Sequence, residues 1–150
     1  MKKTVVILLL SITSNVFGQS YEENRPIWEQ YKTLFCTKTK DTVCEGTTCK
    51  SNKTNISFEL NFEKNEMLYL GKFDLVYKIL DKDFKKNDST NSGVVNTLTI
   101  NGFTIQLFNF KNQNTFGKPE FISVQSQVGL LPKNEMEIKT ITSYSKCYQK

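Results

Sequence analysis

From residue 55 to residue 142 the apolar residues recur mostly at every second position, and this constrains the fold more than any other feature. Ile56, Phe58, Leu60 and Phe62 alternate with Ser57, Glu59, Asn61 and Glu63. Side chains on a strand point to opposite faces in turn, so this pattern predicts a half-buried strand. After Lys64-Asn65 the alternation resumes with Met67, Tyr69, Gly71, Phe73, Leu75, Tyr77 and Ile79. A hairpin pairing Phe62 with Met67 would set Leu60 beside Tyr69 and Phe58 beside Gly71, an aromatic covering a glycine where the sheet bends. Asn101-Gly102 then stands between Leu98, Ile100 and Phe103, Ile105, Leu107. That is the signature of a two-residue type I′ hairpin, pairing Ile100 with Phe103 and Leu98 with Ile105. Ile122, Val124, Ser126, Val128 and Leu130 form a further strand, and Met136, Ile138, Thr140 and Thr142 the last. Polar residues 81–93 and 111–119 read as loops.

One segment breaks the period of two. Pro26 precedes Ile27, Trp28, Tyr31, Leu34 and Phe35, whose spacing forms a single helical stripe. Proline suits a first helical position, so a helix is expected over about 26–36. Residues 37–54 carry cysteines, threonines, lysines and Gly46 and are expected to form a disulfide-held loop. The fold class is mainly β (α+β): one helix followed by an antiparallel meander of about six strands, curled around the helix or closing toward a small barrel. Leu68, Leu70, Val76, Leu80, Phe108, Phe110 and Phe121 occupy the opposite parity. One helix cannot cover both faces, so the sheet folds over on itself or presents its second face to a partner.

The amino-terminal stretch lies outside this domain. Lys2 and Lys3, the apolar run from Val5 to Leu10 with Ile12, and Val16-Phe17-Gly18 have the layout of a secretory signal peptide. The run is too short for a transmembrane helix, which needs about 20 residues. Cleavage after Gly18 would leave a single domain, 19–150, and loss of Lys2 and Lys3 lowers the formal net charge from +5 to +3. Arg25 is the only arginine, and residues 81–88 mix lysine with aspartate. Nucleic-acid binders concentrate Lys and Arg on one face, so a nucleic-acid partner is not expected.

Cys36, Cys44, Cys49 and Cys147 all follow the leader. An even count in an exported chain reads as disulfides, with three possible connectivities. The preferred pairing is Cys44–Cys49 as a local loop and Cys36–Cys147 as a clip between the ends of the domain. The seven and four residues separating the first three cysteines do not match a zinc knuckle, and no Cys-x-x-Cys redox pair exists.

The chain has no histidine. This excludes a Ser-His-Asp triad, a Cys-His pair and imidazole-ligated metal. Paired carboxylates are the main chemistry left, yet Glu59 and Glu63 would stand roughly 13 Å apart along a strand, beyond the spacing of about 5–9.5 Å that glycoside hydrolysis uses. Glu63 and Glu66 read as a solvated turn. Asp81, Asp83, Asn87 and Asp88 lack the ligand spacing of a calcium loop and are mixed with lysines. Three sequons, at Asn52, Asn55 and Asn87, are no more than chance supplies in so Asn-, Ser- and Thr-rich a chain. Phe108, Phe110, Phe116 and Phe121 flank the amide-bearing loop Lys111-Asn112-Gln113-Asn114 and are the candidate binding residues, for a peptide or sugar.

These features point to an exported, extracytoplasmic, non-catalytic binding or inhibitor-type module acting through a sheet face or loop on a protein, peptide or glycan. No cofactor and no metal are expected. The alternatives are a carboxylate-dependent secreted hydrolase acting on glycans and a structural envelope protein.

Overall fold

The alternating strands close into a ring. A computed structural model describes residues 25–71, 75–86, 94–113, 119–130 and 138–149. The stretch read as a signal peptide, Phe116, the Asn87 sequon, Asp88 and Met136 lie outside the described residues. The elements run α1 (Ile27–Gln30), β1 (Thr33–Glu45), β2 (Thr48–Asn61), β3 (Glu66–Leu70), β4 (Leu75–Lys86), β5 (Val94–Ile100), β6 (Phe103–Gln113), β7 (Pro119–Leu130) and β8 (Ile138–Tyr148). Every strand pairs antiparallel with its neighbours in sequence, and β1 pairs with β8 from Phe35↔Tyr148 to Glu45↔Lys139, which makes a closed barrel. Closure removes the free edges that an open meander would leave.

The helix is shorter than its stripe predicts, and it is not wrapped by the sheet. It ends at Gln30, Tyr31 is already extended, and the chain enters β1 at Thr33. Leu34 and Cys36 pair with Leu60 and Phe58 on β2, and Cys36 also meets Cys147 on β8. Two cross-strand neighbours and a covalent bond outweigh one turn of helical spacing. The predicted 37–54 loop is likewise a hairpin. Thr37, Thr39, Thr42 and Val43 are β-branched and favour extended backbone. β1 and β2 continue as a ribbon to a tip where Cys44 and Cys49 stand opposite each other. Both expected disulfides are present, Cys36–Cys147 with a sequence separation of 111 and Cys44–Cys49 with one of 5.

Eight strands replace the expected six. The alternation from Met67 to Ile79 divides into β3 and β4, so Gly71 ends a strand and does not lie beneath Phe58. Phe58 instead opposes Tyr69, and Leu60 opposes Met67, two residues from the predicted register. The slip has a local cause. Phe62 leaves the hairpin to donate its N–H to the Lys32 carbonyl at 2.9 Å, and Asn65 takes a positive φ of 54° in the lengthened turn. A shift of two preserves the faces, so the same residues stay buried. The polar residues 81–86 extend β4 past a bulge and pair with β5. The Asn101-Gly102 hairpin has the predicted register, but only Gly102 adopts positive φ, whereas a type I′ turn needs both central residues there.

The largest departure is the orientation of β7 and β8. Hydrophobic alternation turns Ile122, Val124 and Val128 inward, yet Phe121, Ser123 and Gln125 are the buried residues, and Val128 is 67% and Ile138 54% exposed. The disulfide supplies the reason. Cys147 must face the barrel axis to reach Cys36, and Phe121 is its partner on β7. With a strict period of two, Ser145, Ser143, Ser123 and Gln125 then follow inward. One barrel wall is therefore apolar and the other carries hydroxyls and amides.

Candidate binding site

The two ends of the barrel differ. α1 stoppers one of them: Ile27 and Tyr31 are buried with Leu34, Phe62, Leu107, Phe121 and the Cys36–Cys147 bridge in a single core cluster. The short helix has no side-chain cap of its own. Asn96 on β5 supplies one from across the core, its Oδ1 accepting the Ile27 N–H at 2.9 Å. Tyr31 meets Phe121 edge-on at 5.5 Å, and burial raises its phenol pKa above the usual 10.

At the other end the barrel axis opens into a cup of about 160 Å³ lined by Lys38, Tyr69, Tyr77, Asn101, Phe103, Gln125, Gln127, Ile141 and Ser143. Aromatic rings from β3, β4 and β6 form one half of its wall, and Phe58 of β2 backs them from the buried core. Phe58 and Tyr69, Tyr69 and Tyr77, and Tyr77 and Phe103 have ring centroids 5.8, 5.9 and 5.7 Å apart, the last two pairs edge-to-face. Such contacts hold each ring at a fixed tilt and add about 0.5–1.5 kcal/mol apiece beyond the area they bury. The amides and hydroxyls of β7 and β8 form the other half, with Gln125 directly opposite Ser143 in the ladder. The Tyr69 hydroxyl crosses the axis to donate to Gln125 Oε1 at 3.3 Å, and Gln125 Nε2 approaches Met67 Sδ at 3.8 Å. This bridge is the floor of the cup. Below it Met67, Leu98 and Ile105 belong to the closed core, and Ser123 and Ser145 are 0% and 1% exposed with hydroxyl oxygens that have no hydrogen-bond partner.

Lys38 on β1 completes the rim. Its Nζ lies 5.2 Å from the centroid of the Tyr69 ring, a cation–π distance. The side chains of Lys32, Lys85, Lys139 and Lys146 each pair with a carboxylate, whereas Lys38 has none within ion-pair distance among the described residues. Beyond the rim the long β1–β2 hairpin overhangs the mouth. Its inner face carries Val43, Glu45, Thr48, Lys50 and Asn52 around a second hollow of about 280 Å³. Asp41 lies between the two hollows, cross-strand from Asn52 and Ser143, with its Oδ1 buried and unpartnered.

A larger cleft of about 560 Å³ lies outside the stopper, between α1 and the adjoining strand ends. It contains the Lys32–Glu63 pair at 2.9 Å, and Glu63 raises the Lys32 pKa by hydrogen bonding and charge. Both side chains are largely solvated, and this cleft shares no lining residue with the cup.

The structure separates the phenylalanines singled out in the sequence. Phe121 is buried in the core under α1, while Phe108 is half-buried on the outer wall, opposite Ile122 and Val95. Phe110 is in β6, and Phe116 lies outside the described residues. Phe108 and Phe121 thus face opposite sides of one sheet and do not meet. The mouth residues that sequence reasoning missed had one available signal. Once Cys147 faces inward, Ser145 and Ser143 must do so as well, and Gln125 and Gln127 follow through the β7 pairing.

Among the described residues no group of three Asp, Glu or Cys side chains is placed to hold a metal. Comparison with known protein families, with curated proteins and with solved structures finds no match.

Proposed function

We propose that this chain is an exported binding module that takes a small ligand into the open mouth of its barrel. The observation that supports this reading is the asymmetry of the lumen. One end is stoppered and filled with apolar side chains. The other is a cup whose convergent amides, hydroxyl and ammonium stand against a wall of aromatic rings, the mixture typical of small-molecule sites. An eight-stranded barrel is just wide enough to be filled by side chains or to hold one small ligand, and here the two ends divide those roles. The expected sheet-face or loop site thereby moves to the barrel axis.

Two further observations favour binding in an extracytoplasmic setting. The two disulfides suit an oxidising compartment. Outward positions mix the charged Glu59, Lys78, Asp83, Glu120 and Lys146 with the exposed Leu70, Val76, Val128, Tyr144 and Tyr148, so charges interrupt the apolar band that a lipid-facing barrel would carry. The hydrolase reading loses support, because the inward carboxylates among the described residues are Asp41 and Glu45. These stand four residues apart on one strand, and Glu45 is paired with Lys139 at 3.2 Å.

Nuclear magnetic resonance titration of the oxidised mature chain with a library of small polar and aromatic compounds tests the proposal. Hits should perturb Tyr69, Tyr77, Gln125 and Ser143, and Tyr77→Ala should weaken them about tenfold, since an aromatic contact contributes about 0.5–1.5 kcal/mol in addition to the apolar area that is lost with it. Hits that map to the cleft beside α1 or to the outer wall would overturn it.

A further inference from the structure

We infer that the mouth selects a small monocyclic carboxylate, a ligand of benzoate type, held with its ring against Tyr77 and Phe103 and its carboxylate against Lys38. The inference rests on the mouth being the binding site and adds the chemical class of the ligand. Size comes first. A cavity of about 150 Å³ admits one benzene ring, and the cup measures about 160 Å³. A steroid, a lipid chain or a disaccharide would not fit without displacing the Tyr69–Gln125 floor.

Shape follows from the ring ladder. Tyr77 stands edge-to-face to both Tyr69 and Phe103. A flat apolar body is the complement of such a wall, because it can lie against faces and edges that are already fixed in orientation. Charge follows from Lys38. An aromatic enclosure by itself would suit a cation, but here the protein's own ammonium already occupies the electron-rich face of Tyr69. A second cation would meet that charge directly, whereas an anion finds an ammonium with no carboxylate partner at the rim of a half-desolvated cup. Gln125, Gln127 and Ser143 on the facing wall offer amide and hydroxyl groups to ring substituents or to the second carboxylate oxygen. Asp41 is the opposing charge to consider. It stands beside the cup as the direct β1 partner of Ser143 but does not itself line the cup, so it weakens a bound anion without filling the site.

The test uses the oxidised mature chain at pH 7 with benzoate, benzyl alcohol and benzylammonium, which share a ring and differ in charge, read by calorimetry and by chemical-shift mapping. Benzoate should bind about tenfold more tightly than either other probe, and its affinity should fall as salt is raised. Lys38→Gln should abolish the preference for benzoate, Lys38→Arg should retain it, and Asp41→Asn should strengthen benzoate several-fold. Lys38 and Asp41 are each only partly buried, and the buried Asp41 Oδ1 has no hydrogen bond to lose, so all three proteins are expected to fold. If benzyl alcohol or benzylammonium binds at the mouth as tightly as benzoate, or if Lys38→Gln leaves the preference intact, the carboxylate assignment is overturned while mouth binding stands. If no compound of the broader library shifts the mouth residues, both readings fall.

Discussion

Tyr31 shows how a single side chain joins the stopper to the barrel and gives it a titratable property. Its ring packs edge-on against Phe121, and its phenol is desolvated where solvent-exposed tyrosines are not. Desolvation disfavours the phenolate, so the folded protein holds this proton more tightly than the unfolded chain does. The stabilisation is complete below the ordinary tyrosine pKa of 10 and is lost as pH rises past it toward the higher folded value. Lys32, whose pKa Glu63 also raises, acts in the same direction at somewhat higher pH, so the tyrosine must be isolated by substitution. Urea midpoints measured from pH 8.5 to 11 should therefore fall more steeply for the natural chain than for Tyr31→Phe. Parallel curves would show that the phenol is not desolvated.

At the scale of elements, the two disulfides hold structures of different standing. Cys36–Cys147 joins the first strand to the last at the seam that closes the ring, with a sequence separation of 111. Cys44–Cys49 ties the tip of a hairpin that overhangs the mouth, with a separation of 5. Constraint of the unfolded chain grows with loop length, giving about 5 kcal/mol for the first and about 2 kcal/mol for the second. Guanidinium unfolding of Cys36→Ala/Cys147→Ala should show the larger loss, and Cys44→Ala/Cys49→Ala should mainly loosen the tip. Equal losses would contradict the division between seam and overhang. The same elements show what the sequence makes legible. The Asn101-Gly102 register could be read directly, because it depends on residues close in sequence, and the cysteine pairing was a choice among only three connectivities. The helix end, the β1–β2 ribbon and the inward face of β7 and β8 could not. Those depend on β1 meeting β8, a contact between the two ends of the domain that no local pattern records. Ile122 and Val128 look like core residues until the position of Cys147 is known. The mouth was missed for the same reason, since Lys38, Tyr69, Gln125 and Ser143 come from four strands.

At the scale of the whole molecule, the barrel places stability at one end and recognition at the other, and the two should be separable by mutation. Ile27 is fully buried beneath the stopper, and truncating such a side chain to alanine costs about 2–5 kcal/mol. Asn96→Ala would leave the Ile27 N–H buried without an acceptor, a loss of about 1–3 kcal/mol. Neither residue lines the cup. Lys38 and Gln127 do line it, yet Lys38 is half-exposed, Gln127 is exposed, and the core cluster includes neither. Lys38→Gln and Gln127→Ala should therefore change stability by no more than about 0.5 kcal/mol, the usual range for surface substitutions. Measured on the same four variants, denaturant midpoints and affinities for the strongest mouth ligand should fall into two groups. Ile27→Ala and Asn96→Ala should lower the midpoint while leaving the affinity of the folded protein within about twofold, as expected for sites more than about 7–10 Å apart with no shared partner. Lys38→Gln and Gln127→Ala should do the reverse. If loosening the stopper weakens the ligand as much as changing the rim does, the two ends are coupled through the lumen. The Tyr69–Gln125 bridge would then be a moving part and not a fixed floor.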